Sequence, residues 1–295
     1  MTEILVGTRS GLRESSGEGQ AVTEPIVALA ADGPVRWALV GDGDILRSDD
    51  GAWEPAGSVD RFTGRCLLPT DDALLIGTSE AHLFRLHRGA VELDDGFEAA
   101  PGRGDWTTPW GGPPDTRSMA VDRGGARYVN VHVGGILRSR EPGTWEPTID
   151  MAADVHQVIA HPSRPGTVLA ACARGLAVSA DGGDSWEIAA DGLHAPYARA
   201  VAMAGDTVLV TASTGPFTDR AAIYRRPMDG GGPFERCTGG LPEWFPSNID
   251  THCLAAGDSL VAFAADNAVW VSEDEGRTWD RGASDLPAVT CVAIG

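Results

Sequence analysis

The stretch SADGGDSWE at residues 179–187 returns at 272–280 as SEDEGRTWD, with serine, aspartate, glycine, a hydroxyl residue and tryptophan in the same frame. Two degraded copies stand at 45–55, ILRSDDGAWEP, and at 136–147, ILRSREPGTWEP. The four tryptophans, Trp53, Trp145, Trp186 and Trp279, are separated by 92, 41 and 93 residues. Two intervals are about double the third, so a copy is missing from each, and the unit is about 40 to 47 residues, the size of a four-stranded propeller blade. The missing copies are HLFRLHRGAVELDDGFE at 82–98 and AIYRRPMDGGGPFE at 222–235, with Phe97 and Phe234 in place of tryptophan.

Each unit repeats one internal order: a short alternating segment, a turn, a strongly apolar segment, a turn, a strand ending in the serine phrase, and a strand led by tryptophan. The apolar segments RWALVG, ALLIGT, RYVNVHV, TVLAACA, TVLVTAS and SLVAFAA are too short for helices and rich in valine and leucine. No stretch has helical periodicity. At the C-terminal end AVTCVAIG reads as a first strand, and at the N-terminal end EILVGTRSGLRESSG (3–17) reads as a second and a third. Joined, they complete a seventh unit and remove the sheet edges an open array would expose. The expectation is an all-β, seven-bladed β-propeller of four-stranded antiparallel blades, spanning 1–295 as a single domain.

Composition narrows the function. With 23 basic against 42 acidic residues the formal charge is −19, spread along the chain, so nucleic acid and anionic membranes would be repelled. No segment has transmembrane length and MTEILVGTRSGL lacks a cationic leader, so a cytoplasmic location is expected. Cys66, Cys172, Cys237, Cys253 and Cys291 are scattered without CxxC spacing and read as buried thiols.

The repeated phrase, Ser179, Asp181, Gly183, Ser185, Trp186 and again Ser272, Asp274, Gly276, Thr278, Trp279, resembles the Asp-box of the bacterial neuraminidase repeat superfamily. Segments such as HPSRPGTVLAACARGLAVSADGGDSW and VGTRSGL look like its sialidase-like and photosystem II assembly-factor-like members. That resemblance implies a propeller, and covers glycosidases, sorting receptors and scaffolds alike. Physically the phrase is a hairpin staple: side-chain oxygens bond the turn's amides, glycine takes positive φ, and tryptophan fills the gap between strands. Each copy carries too few acidic groups for a calcium shell.

In a propeller, function collects where first strands begin, facing the channel mouth. Aligned by their apolar tails, PIVAL, RCLLP, RSMAV, HQVIA, RAVAM, HCLAA and TCVAI place Pro25, Arg65, Arg117, His156, Arg199, His252 and Thr290 in one ring. Two residues earlier, on the same strand face, stand Asp115, Asp154, Tyr197 and Asp250. One reading is an anion-holding funnel, with Arg65, Arg117, Arg199 and Asp115 binding the ligand and Asp154-, Asp250- or Tyr197-supported His156 and His252 moving a proton. The other is a layer of internal ion pairs sealing the mouth.

The loops of this face carry Trp106, Trp110, His194, Tyr197, Phe217, Arg220, Trp244 and Phe245. These rings either stack a ligand or form the loops' own small cores. His132, His156 and His252 are candidate metal ligands, without HxH or HExxH spacing. His82, His87 and His161 fall in outer strands or turns. The leading expectation is therefore an anionic small-molecule site, a hydrolase or lyase among its forms, with no cofactor specified. A scaffold that docks a protein partner is the alternative. A sialidase is disfavoured, since the chain has three tyrosines, no Arg-Ile-Pro motif, and seven units where that resemblance implies six.

Overall fold

The computed structural model of the chain describes residues 3–14, 22–49, 51–229 and 231–295. Asp50 and Gly230 of two degraded copies, and residues 15–17 of the N-terminal segment, lie outside them. Six four-stranded antiparallel sheets follow in order at 26–58, 64–93, 116–147, 155–189, 197–236 and 254–281, called here blades 1 to 6. The seventh joins Val289–Ile294 to Ile4–Thr8, and that strand to Gly11–Glu14; it is three-stranded among the described residues. Each first strand neighbours the next around the circle, including Val289–Ile294 beside Ile26–Asp32, so the ring is closed. The chain is a seven-bladed β-propeller.

Burial explains the apolar second strands. Leu74–Thr78, Val168–Cys172 and Thr207–Ser213 are buried at every position because neighbouring blades cover both faces, which removes the polar-out alternation of a half-buried strand. Fourth strands form the outer edges, and several shrink to exposed pairs such as Glu146–Pro147 and Asp280–Arg281. Such short, charged edges resist pairing with other chains. Where the next blade comes closest, Gly7 and Gly77 leave no room for a side chain: a Cβ would stand 2.7 Å from Ile26 Cγ2 and 2.9 Å from Thr116 Cβ respectively. All five cysteines are buried and free.

The repeated phrase closes each hairpin on itself. The Ser179 hydroxyl donates to Asp181 Oδ1 at 2.8 Å and accepts from the Gly183 amide at 2.7 Å, while Asp181 also accepts the Ser185 amide and hydroxyl at 2.9 and 2.6 Å. Ser272, Asp274, Gly276 and Thr278 repeat this pattern at 2.8, 2.8, 2.8 and 2.6 Å. Gly183 and Gly276 take φ of 93° and 83°. Trp186 donates to the Thr148 carbonyl of blade 3, and Trp279 is buried against Phe263. In blade 2 the outcome differs. Arg88 and Gly89 both have positive φ, 51° and 82°, giving a tight hairpin between Leu83–His87 and Ala90–Leu93. The fourth strand thus starts early, and the buried Phe97 follows it in the short helix Asp95–Glu98 instead of leading it.

Candidate functional site

The mouth residues are set by one recurring irregularity. In blades 1 to 5 and 7 the first strand carries a register shift, and the residue left out of the ladder is Val27, Arg65, Arg117, His156, Arg199 with Ala200, or Thr290. A bulge re-aims the extra residue, here at the ring level. In blade 1 that residue is Val27, two beyond the expected Pro25, because the apolar alignment slipped by one pleat. Blade 6 departs further: its strand begins only at Leu254, and His252 sits in a turn with φ 66°.

That turn closes the channel. His252 Nε2 donates across the ring to the Arg117 carbonyl at 2.8 Å, and the Thr251 hydroxyl lies 3.1 Å from both the His156 and Arg199 carbonyls. Burial holds the His252 pKa below its ordinary value, with the Arg117 charge acting in the same direction against the carbonyl bond, so the neutral ring is a plug. His156 is 1% exposed, donates Nδ1–H to the Ala198 carbonyl at 2.6 Å, and turns Nε2 toward Asp154 Oδ2 at 3.6 Å. Neither histidine lines the cavity at the mouth, which removes the access that the expected proton-moving roles require.

Charge pairing runs between blades rather than within strands. Arg65 of blade 2 donates to Asp115, at the start of blade 3, at 3.2 Å. Arg199 of blade 5 donates through Nε to Asp250, at the start of blade 6, at 2.6 Å, and through Nη1 to the Tyr197 hydroxyl at 3.2 Å. Asp115 and Asp250 therefore serve the preceding blade's arginine, not the residue two positions on, because each bulge swings its arginine toward the next blade. Arg117 of blade 3 should by this pattern meet Asp154 of blade 4. It does not: no carboxylate stands within 4.0 Å of it, and its buried Nη1 has no hydrogen-bond partner among the described residues. Burial, and then the Arg199 charge, lower its pKa from the ordinary arginine value.

Asp154 is the other half of the broken pair. Its Oδ1 is likewise buried without a hydrogen-bond partner, with His132 Nε2 3.9 Å away. Interaction with His156, against burial, keeps its carboxyl below the usual range, so it is ionised at neutral pH. His132 is pushed down to about 4, by burial first and the Arg117 charge second, and is neutral there. His132 and His156 thus share one carboxylate while His252 points elsewhere. Among the described residues no three His, Cys, Asp or Glu side chains form a metal-ligating group.

Around Arg117 and Asp154 opens a cavity of about 710 Å³, lined also by Trp110, Asp115, His132, Tyr197, Arg199 and Phe217. This is the size of a small-molecule pocket. Trp110 is 74% and Phe217 99% exposed, and Trp110 rests its edge on His132 at 5.3 Å. The other loop rings are placed differently. Trp106 is buried beside Phe97 and Phe245 beside Phe263, while Trp244 lies under the Arg236 guanidinium at 3.9 Å. These three form loop cores, because a large apolar ring gains more from the blade interior than from the rim. Sequence reasoning missed Val27 and the prolines Pro109 and Pro216, of which Pro109 and Pro216 line the cavity next in sequence to the two rim rings; their adjacency to Trp110 and Phe217 was the available signal. A second cavity, about 730 Å³, lies on the opposite face between blades 1 and 2. Among its lining charges, Arg47 is paired with Asp49 at 2.9 Å and Asp72 with the neighbouring Arg85 at 2.8 Å.

No family model and no curated protein matches this chain. Solved structures do. A putative 6-phosphogluconolactonase from Bacteroides uniformis is 14% identical with a TM-score of 0.62, covering 100% of this chain and 99% of that one. The GH74 xyloglucanase from Xanthomonas campestris is 14% identical with a TM-score of 0.61, covering 94% of this chain and 46% of its own. YCF48 bound to D1 peptide is 16% identical with a TM-score of 0.59, covering 88% and 81%. Identities this low show a shared propeller fold and nothing finer.

Proposed function

We propose that this propeller binds a small anion-bearing molecule at the channel mouth, with Arg117 as the group that holds the anion. One observation carries the reading: Arg117 lines a cavity large enough for a ligand, and its guanidinium keeps one buried nitrogen without a partner among the described residues. A buried unpaired donor costs about 1 to 3 kcal/mol, and a bound carboxylate or phosphate recovers that cost through charge-assisted hydrogen bonds. Tyr197 accepts from Arg199 and so keeps its own proton to donate toward the ligand. A hydrolase or lyase would have to use Asp154, Tyr197 and His132, the cavity's remaining titratable groups beside Asp115. The five free, buried thiols accord with a reducing, cytoplasmic setting. Titration calorimetry with a panel of simple carboxylates and phosphates tests the reading: wild type should bind at least one, and Arg117→Ala should not. Equal binding by both would refute it.

A second reading has its own observation, the nearly full exposure of Phe217 beside Trp110. Rings presented this way suit docking of a protein segment, and one structural neighbour was solved with a peptide. The Phe217→Ala variant separates the two, since peptide capture depends on that ring and binding of a small carboxylate does not.

A further inference from the structure

The mouth's arginines follow a rule with one exception, and the exception has two loose ends. Arg65 and Arg199 each close on the carboxylate that opens the following blade. Arg117 and Asp154 occupy the corresponding positions and line the same cavity, and each keeps one buried atom, Nη1 and Oδ1 respectively, without a partner among the described residues. The remaining charges of the cavity cancel in pairs, Arg199 with Asp250 and Asp115 with Arg65. What is left is one positive and one negative group, separated, in a cavity rimmed by Trp110 and Phe217. A plain anion would satisfy the arginine and leave the carboxylate oxygen bare; a second negative group would be repelled by it.

The geometry points to a zwitterion as the ligand class: a small molecule whose carboxylate is taken by Arg117 and whose ammonium is taken by Asp154, bridging a pair that the protein itself leaves open. This rests on the anion-binding reading above and specifies it. Arg117 supplies donors, Asp154 supplies acceptors, and Tyr197 can donate to the second carboxylate oxygen. Trp110, set against His132, covers the ligand's carbon chain. The site would therefore discriminate by charge number at both ends: a carboxylic acid of the same length lacks the partner for Asp154, and an amine lacks the partner for Arg117.

The test uses linear ω-amino acids of two to six carbons, each beside the carboxylate and the amine of equal length, titrated calorimetrically into the full chain and its variants. At least one ω-amino acid should bind tenfold or more tightly than its matched carboxylate. Asp154→Asn should abolish that preference, with the matched carboxylate binding the variant at least as tightly as wild type because the repelling charge is gone. Asparagine tolerates the left-handed backbone at this position, where φ is 49°, so the variant keeps the turn. Unfolding midpoints checked beforehand confirm it, and Asp154→Glu supplies a second variant that retains the charge and should retain the preference. If a carboxylate binds in an Arg117-dependent way as tightly as every amino acid, the zwitterion inference fails and the anion reading stands. If no carboxylate, phosphate or amino acid binds, both fail together.

Discussion

Two sectors of the same ring handle an arginine in opposite ways. At Arg199 the guanidinium closes on Asp250 and Tyr197, and at Arg65 on Asp115, so the bulged residue and the next blade's first acid neutralise one another. At Arg117 the same backbone device delivers the same side chain, yet Asp154 is held toward His156 and His132 by a left-handed residue conformation, and the pair stays open. Propeller repetition thus supplies the structural default, a sealed mouth, and one local turn withdraws it. The unsatisfied atoms mark where stability was given up, which is how binding sites commonly stand out from their scaffold.

Attacks on this contrast should differ in size. The largest effect is on acid stability. His132 is neutral in the fold with a pKa of about 4 against an ordinary 6.5, so the unfolded chain takes up its proton first. Stability is therefore whole above pH 6.5 and falls as pH drops toward 4, by about 3 kcal/mol from this group. Replacing Arg117 with methionine removes a positive neighbour and should raise the His132 pKa, measurable by NMR titration, whereas Arg65→Met should leave it in place. Next is affinity: Arg117→Ala should weaken carboxylate binding roughly 30-fold or more, about 2 kcal/mol, and Arg65→Ala by less than about threefold. Third is ligand-free stability. Arg117→Met replaces a buried unpaired cation and should raise the unfolding free energy by about 1 kcal/mol, read from denaturant titration, while Arg199→Met orphans Asp250 and should lower it by a similar amount. Smallest is Phe217→Ala, which at full exposure should change stability by no more than about 0.5 kcal/mol.

Much of the propeller was legible in the chain because its determinants are local. The serine-aspartate staple bonds only its own turn, and a strand packed on both faces must be apolar throughout, so both survive reading in one dimension. The ring of Arg65, Arg117, His156, Arg199 and Thr290 was legible for the same reason: each begins an apolar run. Pairing was not. Asp115 and Asp250 stand two residues before Arg117 and His252 in sequence, but each is met by the bulged arginine of the preceding blade, and nothing local records that rotation. His252 was misplaced because a left-handed turn, not a strand, carries it into the channel. Trp106 and Phe245 were misplaced because exposure depends on what covers a loop, while Trp110 and Phe217, of the same chemistry, remain on the rim.

The most direct test is the distance between the Arg117 guanidinium and the Asp154 carboxylate in a high-resolution crystal structure of the ligand-free protein. The account predicts more than 4 Å, with water or a small ion occupying the gap while the Arg65–Asp115 and Arg199–Asp250 pairs are closed. A direct Arg117–Asp154 salt bridge, matching its two neighbours, would contradict it.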